Sequence, residues 1–148
     1  MKNHSSDALV LVAEDDPDDR ELLSEAFAQV AGAVDLRFVD TGLELLRYLA
    51  HEPPYQVPGD HPNPRLILLD LNMPAVDGRE ALRRLRGDGR WRRIPVVVFT
   101  TSSAQEDIDQ VYALGGNSYI TKPERMDDLV HLVHTIERYW LGTVQLPS

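Results

Sequence analysis

The chain has 148 residues, enough for one compact core but short of a core plus a separate output domain. Its hydrophobic content of 43% and charged content of 26% are ordinary for a globular fold, and no apolar run approaches the roughly 20 residues of a membrane span. The absence of cysteine excludes disulfides, thiolate metal sites and cysteine nucleophiles, and a formal charge of -9 argues against a nucleic-acid binder, whose affinity rests on clustered cations.

MKNHSSD leads into only a short apolar stretch and then an acidic cluster, the wrong shape for a signal peptide, so a cytoplasmic location is expected. ALVLVA (8–13) reads as a strand buried on both faces. A helix follows, with Asp16 as N-cap, Pro17 at its first position and Leu22, Leu23, Ala26, Phe27 and Val30 on one stripe. VDLRFV (34–39) is a second strand, and 41–50 a helix with Leu45, Leu46 and Leu49 inward. Residues 51–64 carry five of the ten prolines and read as a long surface loop. RLILLD (65–70) is the third strand, followed by a helix over 78–89 with Ala81, Leu82 and Leu85 apolar. IPVVVFT (94–100) is the most strand-like segment, since consecutive valines and a Phe suit a buried pleat. Ser103 and Glu106 then form a capping box, Ile108, Val111 and Tyr112 supply the stripe, and Gly115-Gly116 end the helix. SYIT (118–121) is a short fifth strand, and a last helix runs from about Glu124 to Trp140. LGTVQLPS (141–148) remains as a tail.

Strands alternating with helices imply a parallel sheet covered on both faces, because parallel strands need crossovers and crossovers are right-handed. The expectation is a single doubly wound α/β domain with a core of about 8–140. Seven of the fifteen basic residues fall between Arg79 and Arg93. That run reads either as a solvated helix face and loop or as a surface for an acidic protein partner.

Ligands of such a fold sit beyond the carboxyl ends of the strands. The residues there are Glu14 and Asp15, Asp70, Thr100 and Lys122. Three clustered carboxylates resist ionisation unless a cation neutralises them, and a hard divalent ion with oxygen ligands fits, Mg²⁺ best if the site also handles phosphate. Asp70, at the end of a rigid strand, is then a nucleophile toward a phosphoryl group. Asp15, Asp70 and the backbone carbonyl of Asn72 would hold the metal, Glu14 a metal-bound water, and Lys122 and Thr100 would bind phosphate oxygens.

These residues lie in VAEDDP, DLNMPAVDG, FTTS and YITKP, and with them the chain resembles the receiver domain of two-component response regulators, from about Ala8 to Trp140. The resemblance implies the flavodoxin-like strand order 2-1-3-4-5, Asp70 as phosphoacceptor, Glu14 and Asp15 as the acidic pocket, and Mg²⁺ or Mn²⁺ as cofactor. It also implies Lys122 as phosphate-sensing cation, Thr100 as switch hydroxyl, Tyr119 as switch aromatic, and a cis bond between Lys122 and Pro123. The expected partners are a sensor histidine kinase and an unspecified downstream protein, with neither nucleic acid nor membrane. Phosphorylation would shift a population between two states, Thr100 moving toward the phosphate and Tyr119 filling the vacated space. Thr101 stands where many members carry alanine. The long proline-rich loop resembles stand-alone regulators that serve bacterial phytochromes. Leu141, Val144 and Leu146 extend past the last helix and suggest a homodimer through that helix and the tail.

A signalling phosphoacceptor rather than an enzyme is expected, with at most slow self-phosphorylation and autodephosphorylation. A haloacid-dehalogenase-type phosphatase would need a second Asp two residues after the nucleophile, where Asn72 stands. A nucleotide-binding reading fails because no GxxxxGK or post-strand GxGxxG is present.

Overall fold

The computed structural model describes residues 8–30, 34–57 and 59–147; the amino-terminal MKNHSSD and the last residue of the tail lie outside it. Five strands alternate with five helices: β1 (Ala8–Ala13), α1 (Pro17–Ala28), β2 (Val34–Val39), α2 (Gly42–Leu49), β3 (Leu66–Leu69), α3 (Gly78–Gly87), β4 (Val96–Thr100), α4 (Gln105–Ala113), β5 (Ser118–Thr121) and α5 (Met126–Ile136). All pairings are parallel and the order is β2-β1-β3-β4-β5, as the sequence implied.

Alternation along the central strands builds two cores. Leu9, Leu11 and Ala13 face the layer of α2 and α3, while Val10 and Val12 face α1 and α5. Both sets are buried, which is why β1 reads as an unbroken apolar run. Register then brings the strand ends level: Ala13 pairs with Leu69, Leu69 with Val98, and Thr100 with Thr121. The residues that follow stay tied to the neighbouring strand, since Asp70 N donates to Ala13 O (3.1 Å) and Lys122 N to Thr100 O (2.7 Å).

Several boundaries differ from expectation, each for a local reason. Helix α4 starts at Gln105 with Ala104 as an uncapped N-cap residue, so Ser103 and Glu106 form no capping box. Ser102 takes the local role instead, its Oγ donating to Asp107 Oδ2 (2.6 Å) and accepting from Ala104 N (3.2 Å). Helix α3 ends at Gly87 because Asp88 is extended and its carboxylate accepts from Arg90 N (2.8 Å), a side-chain turn that competes with further helix. Helix α5 starts at Met126 and widens at its end into a π-helical turn over Glu137–Leu141. Leu22 and Tyr112, placed inward by periodicity, are 44% and 51% exposed. The Lys122–Pro123 bond is not cis; among the described residues the cis bond is Pro53–Pro54. Trans is favoured for X–Pro by about 0.5–1 kcal/mol, and Lys122 meets its hydrogen-bond partners in that geometry.

The segment 51–64 is a surface loop, most of its described residues being exposed, and it is anchored at Tyr55 and His61. Tyr48 of α2 is buried, donates to Pro62 O (2.9 Å), and stacks against Tyr55 and His61 with ring centroids 5.2 and 5.6 Å away.

Candidate phosphoacceptor site

Asp70 follows an all-buried strand and is itself only 7% exposed. Its Oδ1 accepts from Thr100 Oγ (2.9 Å) and from Asn72 N (3.2 Å), and its Oδ2 faces Lys122 Nζ at 3.4 Å. Thr100 is fully buried, so its hydroxyl has a fixed direction. Behind Asp70, the chain turns into α3 through Gly78, whose N–H donates to Leu71 O (3.0 Å). A Cβ on Gly78 would collide with the Asp70 carbonyl and lie 2.7 Å from Leu71 Cα. Only glycine allows so close a backbone approach here.

Glu14, 3% exposed, ends β1 and accepts from Asp16 N through Oε2 (3.1 Å). Its Oε1 contacts Lys122 Nζ directly. Asp15 points outward, and Asp16 is the cap expected of it, accepting from Asp18 N (2.8 Å). Carboxylate oxygens of Glu14, Asp15 and Asp70 all come within 4.8 Å of one another. Burial, reinforced by the charge of Asp70, pushes the Glu14 carboxyl up to about 7 against the opposing bond from Lys122. Burial by itself would lower the Lys122 ammonium, but hydrogen bonds to Asp19 and Glu14 and the charge of Asp70 outweigh it and raise the group. Three carboxylates, of Glu14, Asp19 and Asp70, thus share one ammonium, and the cluster is short of positive charge. Only oxygen donors converge there, and they fit a hard divalent cation.

The sequence brought Glu14, Asp15, Asp70, Thr100 and Lys122 to this end of the sheet, and they meet there. Asn72 occupies the exposed turn beside Asp70. Two residues escaped sequence reasoning. Asp19, in the first turn of α1, pairs with Lys122 Nζ at 2.8 Å, and Arg20 donates to Glu14 O (2.6 Å) while pairing with Asp40. Their signal was the acid-rich helix start, which capping alone seemed to explain. Tyr119 is half-buried; its hydroxyl donates to Ser102 O (2.7 Å) in the loop that follows Thr100.

Residues 10–134 match the profile of the response regulator receiver domain. The chain belongs to that family. Response regulator Rcp1 of Synechocystis sp. is 38% identical over 140 residues, covering 95% of this chain and 93% of the relative. A crystal structure of the Mn(2+)-bound form of Rcp1 aligns with a TM-score of 0.86 at 38% identity over 95% of this chain and 99% of that one. The phosphorylated cyanobacterial phytochrome response regulator RcpA aligns with a TM-score of 0.88 at 39% identity, over 97% of this chain and 100% of the other. Response regulator RPA3017, in red light signaling of R. palustris, gives 0.91 at 38%, over 95% and 99%. This receiver is therefore a phosphoacceptor of two-component signalling whose upstream partner is a histidine kinase. Among its described residues no helix is long and apolar enough to cross a membrane.

Proposed function

We propose that this receiver is a cytoplasmic, stand-alone regulator that accepts a phosphoryl group on Asp70, in the presence of Mg²⁺, from a phytochrome-type sensor kinase. The observation that carries the reading is the setting of Asp70: a buried carboxylate at a strand end, held by Thr100 and Asn72, with Lys122 at 3.4 Å. One Asp70 oxygen forms the bond to phosphorus as the bond from phosphorus to the kinase imidazole breaks. Asp15, Asp70 and the Asn72 carbonyl would hold the metal and Glu14 a water on it, and a cation so held would supply neutralisation of charge on the transferring group. Lys122 then exchanges part of its contact with Glu14 and Asp19 for a phosphate oxygen. Thr100 turns its hydroxyl from Asp70 to another, drawing on the loop whose Ser102 carbonyl holds Tyr119. The change in that loop and β5 alters affinity for a downstream protein. The phytochrome link rests on RcpA and RPA3017, and no turnover of free substrates is expected.

Incubation with Mg²⁺ and a small phosphodonor should add one phosphate by intact mass, absent in Asp70→Asn. No adduct, or rapid multiple turnover of phosphomonoesters, would refute the assignment. We also propose self-association through α5 and the π-helical turn that continues it, where Tyr139 is 51% exposed. The tail belongs to the proposed contact, and its Leu146 and Pro147 line a groove with residues 92–95 of the same chain. Sedimentation of a chain ending at Trp140 should show weakened assembly; unchanged assembly would remove the tail's role.

A further inference from the structure

We propose that a basic groove at the opposite end of the sheet from Asp70 docks an acidic, partly apolar segment of a protein partner, independently of phosphorylation. The groove, of about 610 Å³, lies where β3 and β4 begin and is lined by Arg65, Arg90, Arg92 and Arg93. The four residues of β3 separate Arg65 on its rim from Asp70, five steps or about 16 Å at the usual rise. Its position is independent of the phosphoacceptor reading.

Most of the basic run has structural work inside this chain. Arg79 pairs with Asp107, and Arg83 and Arg84 with Glu80. Arg86 is half-buried and donates to Gly115 O (2.8 Å), Ile94 O (2.9 Å), Arg92 O (3.2 Å) and Asn117 Oδ1 (2.8 Å). Arg92 and Arg93 are different: like Arg65 just before β3, they are exposed and form no ion pair among the described residues. Arg90 pairs with Asp88 and stacks 4.3 Å above the Trp91 ring.

The loop that carries these guanidinium groups is ordered in advance. Trp91 is buried, Arg92 N donates to Asp88 O (3.0 Å), Ile94 N to Trp91 O (3.0 Å), and Arg86 grips the carbonyls of Arg92 and Ile94. A binding surface fixed before contact loses little entropy on association. Arg forks match carboxylates bidentately, and Pro64, Pro95, Leu146 and Pro147 offer apolar walls between them. Charge decides against nucleic acid. The chain carries -9, with Asp15, Asp16 and Asp18 exposed at the far end, so a long polyanion is repelled while a short acidic segment meets only the basic end. A partner seated there leaves Asp70 open to the kinase.

The test uses fluorescence anisotropy with a labelled peptide of about a dozen residues, glutamates interspersed with leucines, its glutamine counterpart, and a single-stranded oligonucleotide of similar length. The glutamate peptide should bind, the glutamine one should not, and Arg92→Glu with Arg93→Glu should weaken binding by about tenfold or more. Arg83→Glu with Arg84→Glu, exposed on α3, should leave it within about twofold. Asp70→Asn, and wild type with Mg²⁺ and phosphodonor, should bind as the untreated protein does. Equal loss from the α3 pair, preference for the oligonucleotide, or an affinity that follows phosphorylation would overturn the proposal. Circular dichroism of both double variants separates lost docking from lost folding.

Discussion

Replacing Lys122 with methionine keeps most of the side chain's volume and removes the one cation of a buried acidic cluster. Its Nζ lies 2.8 Å from Asp19 Oδ2, 3.4 Å from Asp70 Oδ2 and against Glu14. At an effective dielectric of about 20, those two separations correspond to gross attractions of roughly 6 and 5 kcal/mol. Desolvation offsets most of this, and the Asp19 side chain, 35% exposed, is partly screened by solvent. Leaving Glu14 and Asp70 unpaired should then cost about 3 kcal/mol in metal-free protein at pH 8. Glu14 already sits at about 7 and takes up a proton more readily once the ammonium is gone, so the loss should shrink near pH 5.5. Urea unfolding in EDTA at both pH values measures this. Saturating Mg²⁺ supplies the missing positive charge and should recover about half of the loss at pH 8. A variant as stable as wild type in EDTA at pH 8, or a loss that Mg²⁺ leaves unchanged, would refute the charge-deficit account.

The raised Glu14 carboxyl also sets a slope in the wild type. Between 4.5 and about 7 the native state holds a proton that the unfolded chain has released, so this contribution is fully present below 4.5 and lost as pH rises to about 7. The difference between wild type and Glu14→Gln in EDTA should therefore change by up to about 3 kcal/mol between pH 4.5 and 8, and a flat difference would contradict it. Gly78→Ala should cost about 1–3 kcal/mol in thermal unfolding and slow adduct formation, because backbone of Asp70 and Leu71 must move to admit the methyl group. Arg86→Ala should cost about 2 kcal/mol and speed hydrogen exchange in 92–96, since the carbonyls of Ile94 and Gly115 lose their donor. Arg86→Lys should recover less than half of that, as one ammonium cannot reproduce a fork that reaches both 92–94 and 115–117.

What could be read ahead of the structure followed chain geometry. An apolar run entering a lone polar residue marks a strand end, and a parallel sheet collects such ends on one side, so Glu14, Asp70, Thr100 and Lys122 were visible together. What stayed hidden depends on the angles between elements. Asp19 reaches Lys122 on the face of the sheet where α1 packs beside α5, and a sequence cannot give that juxtaposition. Leu22 and Tyr112 fit by period the same stripes as Leu23 and Val111, yet only Leu23 and Val111 are buried, because the stripes that face the sheet are narrower than the period suggests. Ser103 had the right spacing for a cap, but the helix starts at Gln105, and Ser102 instead accepts from Ala104 N and donates to Asp107. The basic run looked uniform on paper. In space it separates into Arg79 and Arg86, which tie α3 to its neighbours, and Arg92 and Arg93, which face outward.

The aromatic anchoring of the proline-rich loop bears on engineering. Tyr55 and His61, with ring centroids 5.3 Å apart, both pack on Tyr48. Gln56, Val57, Gly59 and Asp60 between them are exposed. A guest domain with adjacent termini, spliced into that short span, would enter and leave the host at two pinned points. Its motions would be transmitted to α2, and through Gly42, whose N–H donates to Val76 O at 3.0 Å, to the turn beyond Asp70. The loop thus offers an insertion port for a sensor domain that reports on, or perturbs, the phosphorylated state from outside the site.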